Sequence, residues 1–161
     1  MIRNVHERDF KSDAATAGAL IDTLASRDDR LWPRDRWPPI RFDRPLQIGA
    51  VGGHGPIHYA VVAYEPTRSI RFRFTAPRGF IGSHGFDVVP LPNGGARLIH
   101  SLGMQAESTA MLTWPLVYRW LHDALIEDSL ERAAVSLGET PRGVRWTLWV
   151  RTLRWVFGSV L

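Results

Sequence analysis

Apolar residues recur along this chain at two periods, which occupy different stretches. Over residues 113–137, TWPLVYRWLHDALIEDSLERAAVSL, Val117, Trp120, Leu121 and Ala124 follow the i, i+3, i+4, i+7 spacing of one helical face. Ile126, Leu130, Ala133 and Leu137 make a second stripe rotated from the first, so the two halves of this helix are expected to meet different surroundings. Thr113 suits an N-cap, Pro115 is tolerable in a first turn, and Gly138 suits a C-terminal stop. Arg119 with Asp123 and Asp128 with Arg132 are i, i+4 pairs expected on a wet face.

Period two governs the earlier half. Residues 2–10 read as a strand with Val5 as its apolar mark, and Ser12 or Asp13 then caps an Ala-rich helix running to about residue 25, with Leu20, Ile21 and Leu24 inward. Strand patterns follow over 46–51, 57–64, 69–75, 80–89 and 96–106. In 69–75 Ile70, Phe72 and Phe74 alternate with Arg71 and Arg73, the pattern of a half-buried strand. Turns are expected at Gly52-Gly53-His54-Gly55-Pro56, Glu65-Pro66-Thr67-Arg68, Ala76-Pro77-Arg78-Gly79 and Pro92-Asn93-Gly94-Gly95, where Asn-Gly is a strong hairpin signal. Antiparallel strands in succession between a short helix and a long one predict an α+β fold, not the alternation of a parallel sheet.

Two segments stand outside this scheme. Residues 26–45 carry Pro33, Pro38, Pro39 and Pro45 among arginines, aspartates and Trp32 and Trp37, and long irregular loops of this kind often serve as lids or binding segments. In the tail, 144–161, Trp146, Trp149, Val150, Leu153, Val156, Phe157 and Val160 are placed on one helical face, with Arg151 and Arg154 opposite and Arg145 at the edge. Such a basic amphipathic helix packs on its own domain, on a partner such as a second copy, or on a membrane surface.

Composition narrows the function. A chain of 161 residues with 45% hydrophobic and 22% charged residues fits one globular domain. The formal net charge is +4, and Lys11 is the only lysine. The arginines are scattered through strands and loops, which argues against a nucleic-acid partner. Cysteine is absent, so disulfide and thiolate chemistry are excluded. The N-terminal run is unlike a secretory signal and no apolar stretch is long enough to span a bilayer, so a cytoplasmic protein is expected, with peripheral membrane association as the alternative.

Two runs carry a family resemblance. GSHGFDVVPLPNGGARLIHSL (82–102) and WPLVYRWLHDALIEDSLERA (114–133) resemble the START-like superfamily, often labelled polyketide cyclase/dehydrase-type and including the birch-pollen-allergen-like proteins, small bacterial members above all. GGHGPIHYAV (52–61) and the pairs Trp32-Pro33 and Trp37-Pro38 are similar too, so the resemblance spans most of 2–137. It implies a helix-grip fold: a curved antiparallel sheet wrapped around a long C-terminal helix, with a pocket between them. The domain is then expected over 1–138, and the amphipathic tail over 139–161 is not accounted for by the family pattern.

Candidate chemistry centres on histidine, the side chain that titrates nearest neutrality. If Phe86 and Leu98 face the helix, so do His84 and His100, where they could bind a ligand oxygen or act as acid and base; a hairpin bulge is expected if the two strands are to agree in face. The plainer reading is a structural histidine bonded to a strand carbonyl. No metal site is expected: a Gly-Pro turn separates His54 from His58, and His122 and Asp123 diverge on the helix. Asp123 and Glu127, one turn apart, want a cation nearby, which Arg119, Arg34 or Arg36 could supply. Neither a nucleophile elbow nor a phosphate-binding glycine pattern occurs, and no cofactor is expected.

Taken with these residues, the resemblance implies a binder of a small hydrophobic molecule (a lipid, polyketide or aromatic metabolite). Its pocket would be lined by Trp32, Trp37, Phe72, Phe74, Phe86 and Trp120, with Tyr59, Arg71, His84 and His100 available to orient a polar end. The alternatives are a cyclase or dehydratase-type enzyme using His84 or His100 as acid/base, and a peripheral membrane or interaction protein acting through the tail helix.

Overall fold

The computed structural model describes residues 1–157. Seven strands form one antiparallel sheet in the order β1-β7-β6-β5-β4-β3-β2, where β1 is Ile2–Phe10, β2 Arg41–Phe42, β3 Val51–His54, β4 Ile57–Glu65, β5 Ser69–Ala76, β6 Phe80–Pro90 and β7 Ala96–Ala106. Helix α1 (Ala14–Asp22) follows β1; its N-cap is Asp13, whose carboxylate accepts from the Thr16 N–H at 2.9 Å. Gly18 lets α1 sit directly on the β4–β5 turn, because a Cβ there would fall 1.7 Å from the Thr67 carbonyl oxygen.

The β1, β5, β6 and β7 strands turn their even-numbered residues inward. Ile70, Phe72, Phe86, Val88, Leu98, Leu102 and Met104 are all buried. On β1 this parity brings in His6, Arg8 and Phe10 and leaves Val5 exposed, so Val5 does not mark the buried face. The hairpin needs no bulge. His84 pairs with Leu102 and Phe86 with His100 in unbroken register, since the loop 91–95 has an odd number of residues and even positions meet even ones. The strand expected over 46–51 does not form; β3 begins at Val51, runs through Gly52 and Gly53, and the turn shrinks to Gly55-Pro56.

The long helix starts earlier than its sequence signals suggest. α2 (Ala110–Thr113) passes into a π-helical segment, Trp114–Tyr118, and then α3 (Arg119–Ser136), 27 continuous residues. Thr113 is therefore interior rather than a cap. Pro115 also lies inside the helix, where a missing N–H and a ring clash would break an α turn; the widened π turn, closed by the Arg119 N–H on the Trp114 carbonyl, accommodates it. At the far end Gly138 adopts φ 72°, and the Glu139 N–H reaches the Ala134 carbonyl at 2.8 Å, a Schellman stop.

The loop 26–45 crosses the open side of the sheet and is fastened to α3 by polar bonds. Asp29 accepts from the backbone N–H groups of Ala25, Leu31 and Trp32, while Ser129 and Arg132 donate to the carbonyls of Leu31 and Asp29. Asp128, expected to pair with Arg132 in solvent, is instead 2% exposed and accepts from Arg36, Trp37 and Trp146 at 2.7, 2.7 and 2.9 Å. Helix α4 (Leu148–Phe157) lies over this junction, burying Val150 and Leu153. Trp146 meets Trp37 edge-on, and the Arg154 guanidinium stands over the Trp37 ring. The tail thus packs on its own domain, but its apolar residues do not share one covered face: Trp149, Val156 and Phe157 are exposed, as are Leu148 and Trp155. Val160 lies outside the described residues. Among the described residues no helix is long and apolar enough to cross a membrane.

Candidate functional site

The sheet and α3 do not fill the space between them. A hollow of about 630 Å³, part of it continuous with solvent, runs between the loop 26–45 and the β3–β4 turn on one side and the π segment and α3 on the other. Its interior has room for a few waters or a slim guest. Trp32, Trp37, Ile57, Phe74, Phe80, Leu102, Trp114, Tyr118, Leu121 and Leu125 make its walls, and His54, His84 and His122 add nitrogen to an otherwise apolar lining.

Of the residues expected to line a pocket, Trp32, Trp37, Phe74 and His84 do so. The indoles of Trp32 and Trp37 are anchored by N–H bonds to the Pro38 carbonyl and to Asp128, which fixes the rings against the hollow. Phe72, Phe86, Tyr59 and His100 are buried one layer back. Two expectations fail. Arg71 lies on the outer face, as odd residues of β5 must, and pairs there with Asp87. Trp120 is 40% exposed and its indole N–H bonds the Pro115 carbonyl, because the π segment rotates the helix so that Trp114, Tyr118, Leu121 and Leu125 point inward instead. That stripe is spaced 4, 3 and 4 and shares only Leu121 with the expected stripe at 117, 120, 121 and 124.

Five of the six histidines converge, which spacing alone did not reveal. Ring centroids are 5.6 Å apart for His84 and His100, 5.0 Å for His100 and His122, and 6.0 Å for His122 and His6; Tyr59 joins His84 to His54 at 4.9 and 5.8 Å. His84 Nδ1 is 3.4 Å from His100 Nε2. The Tyr59 hydroxyl, His84 Nε2, His100 Nδ1 and both nitrogens of His122 are buried without a hydrogen-bond partner. Burial holds His84, His100 and His122 below the ordinary imidazole range and takes His54 down to about 3, so these rings are neutral at pH 7. Burial likewise raises the Tyr59 phenol.

The series ends at the surface in a charged cluster. His6 Nδ1 is 2.7 Å from Glu127 Oε1 and Nε2 is 3.1 Å from Asp123 Oδ1. Burial opposes charge on His6, but the hydrogen bonds to the two carboxylates outweigh it and raise the ring to about 9. The cations that serve Asp123 and Glu127 are therefore His6 and Arg8 from β1, with Arg119 3.8 Å from Asp123. Arg36 goes to Asp128 and Arg34 to the Arg27 carbonyl. The signal for this arrangement was the even parity that His6 and Arg8 share with Phe10.

No family model matches the chain, and no curated protein matches it. Solved structures do. A Thermobifida fusca protein aligns with TM-score 0.62 at 15% identity over 87% of this chain and 97% of its own. Ara h 8.0201 aligns with TM-score 0.61 at 11% identity over 86% and 99%. A point mutant of Thalictrum flavum norcoclaurine synthase, in complex with a transition-state analogue, aligns with TM-score 0.62 at 13% identity over 85% and 96%. The chain shares with these structures the helix-grip fold, a curved antiparallel sheet around a long C-terminal helix.

Proposed function

We propose that this protein binds a small hydrophobic molecule carrying one polar end in the hollow between sheet and α3. The observation that carries the reading is the set of unpartnered nitrogens on His84 and His122 in an apolar lining. Each buried polar group without a partner costs about 1–3 kcal/mol, which a guest oxygen at that place would offset while the aromatic walls supply affinity. The guest is slim and flat, or the Trp32 and Trp37 loop yields to admit it. Native mass spectrometry of freshly purified protein tests this directly: a co-purifying lipid, polyketide or aromatic metabolite is expected. Leu125→Trp, which fills the hollow, should abolish its retention. Protein that carries no guest and shows no change in tryptophan emission with any such compound sinks the proposal.

A second reading, a cyclase or dehydratase-type enzyme, is favoured by the His84–His100 pair, since a neutral imidazole next to a guest can take up a proton. Turnover of a bound enolisable compound that disappears in both His84→Phe and His100→Phe would establish it; unchanged turnover in both would exclude it. A third, membrane contact, is favoured by the outward side of α4, where Leu148, Trp149, Trp155 and Val156 are exposed beside Arg151. Co-sedimentation with anionic but not neutral vesicles, lost in Trp155→Glu, is the expected outcome.

A further inference from the structure

We infer that His6, His122 and Asp123 form a binding site for a divalent transition-metal ion of the zinc type beside the cavity. Each offers one donor atom, and the three atoms lie within 4.8 Å of one another. His6 Nε2 is 3.1 Å and His122 Nδ1 3.7 Å from Asp123 Oδ1. Donors at about 2.0–2.1 Å from a tetrahedral ion stand about 3.3–3.4 Å apart, so the two separations from Asp123 bracket that spacing, and the two imidazoles, within 4.8 Å of each other, would close on the ion. Adjacent residues on a helix diverge, and it is β1, crossing beneath α3, that sets His6 between them.

The surrounding contacts suit a metal. Glu127 Oε1, 2.7 Å from His6 Nδ1, is placed to hold that N–H and keep Nε2 as the lone-pair nitrogen, the usual role of a carboxylate behind a metal-bound imidazole. Asn4 Nδ2 donates to Asp123 Oδ1 at 2.7 Å, Arg119 Nε is 3.8 Å from Asp123 Oδ2, and Arg8 pairs with Glu127 and Glu131. Three carboxylates face two guanidiniums and His6, so an ion that takes the place of the His6 proton leaves the cluster's charge compensated. An ion pair among His6, Asp123 and Glu127 explains those three residues and leaves His122 unexplained, its Nδ1 3.7 Å from Asp123 Oδ1 and neither ring nitrogen within hydrogen-bonding distance of a partner. A cation at Asp123 gives His122 its partner.

Two imidazoles and one carboxylate are a donor set for zinc or iron(II), and they leave a coordination position for water or for a guest oxygen. Because His122 also lines the hollow, the ion would stand at the wall where the guest sits. The site does not depend on that guest, and the two tests fail separately.

Untagged protein, stripped with a chelator, is titrated with zinc chloride by calorimetry, and with cobalt(II) as a spectroscopic probe. One zinc per chain is expected, and cobalt should give the intense visible bands of a four-coordinate ion. His122→Ala and Asp123→Asn should each weaken zinc binding by more than about 100-fold, and Glu127→Gln, which keeps the ligands, by about 10–100-fold. His58→Ala, an exposed histidine outside the cluster, should change nothing. Circular dichroism of each stripped variant checks folding; should a ligand variant not fold, Glu127→Gln and the cobalt spectrum decide. No saturable binding, binding that survives both ligand substitutions, or binding that depends on His58 overturns the assignment.

Discussion

Buried histidine tells on this protein through pH. His54, held down to about 3 by burial with His122 and His58 adding like charge, and His84, depressed by burial with His122, His54 and Arg71 nearby, are neutral when folded and titrate normally when unfolded. The unfolded chain therefore binds more protons below pH 6.5, so the contribution of these two groups is full above that value and is lost as pH falls. Each group removes up to about 1.4 kcal/mol per pH unit in that window. His6, raised to about 9, works in the opposite sense, and its contribution changes chiefly above pH 6.5. Urea midpoints at pH 7.0 and 5.5 should show the wild type markedly weaker at the lower pH, with a smaller difference in His84→Phe. An unchanged midpoint across that interval would mean that these rings are not neutral in the folded state.

At the level of elements, Asp128 decides how loop 26–45, α3 and the tail are joined. Its carboxylate is the shared acceptor for the Arg36 guanidinium and for the indoles of Trp37 and Trp146. Asp128→Ala leaves the buried Trp37 indole and the half-buried Trp146 indole without an acceptor and the exposed Arg36 without its ion pair, and should destabilise the chain by about 2–4 kcal/mol, read as a lower urea midpoint with a red shift of tryptophan emission. In sequence Asp128 looked like one half of an exposed i, i+4 pair, because nothing local reports that a loop some ninety residues earlier brings two donors to it. The strands and their alternation were legible, as Ile70, Phe72 and Phe74 show, since a period of two is written in the residues themselves. The phase of the helix was not. It depends on the π turn around Pro115, which moved Trp120 out and Trp114 and Tyr118 in. His84 and His100 could be placed from their parity with Phe86 and Leu98, whereas the approach of His6 to His122 is a tertiary fact without a local signature.

Across the whole molecule, the tail and the hollow are coupled through the Trp37 loop. The tail contributes Val150 and Leu153 to the core, the Trp146 bond to Asp128 from the segment before α4, the Arg154 bond to the Arg36 carbonyl at 2.6 Å and the Trp149 bond to the Leu116 carbonyl at 3.0 Å. The last of these reaches the π segment, which supplies Trp114 and Tyr118 to the cavity wall. A chain ending at residue 143 keeps every strand and all of α3, so it should still unfold cooperatively. It gives up the burial of two core side chains at about 1.5–3 kcal/mol each, and with it the outer support of the loop. Hydrogen exchange should then quicken over 30–38 and over the π segment while β6 and β7 keep their protection, since local opening follows local loss of packing. If exchange instead quickens evenly across the sheet, the tail is an integral part of the core rather than a brace across the cavity's loop. If it changes nowhere, the contacts of Trp146 and Arg154 with that loop carry no stability in solution.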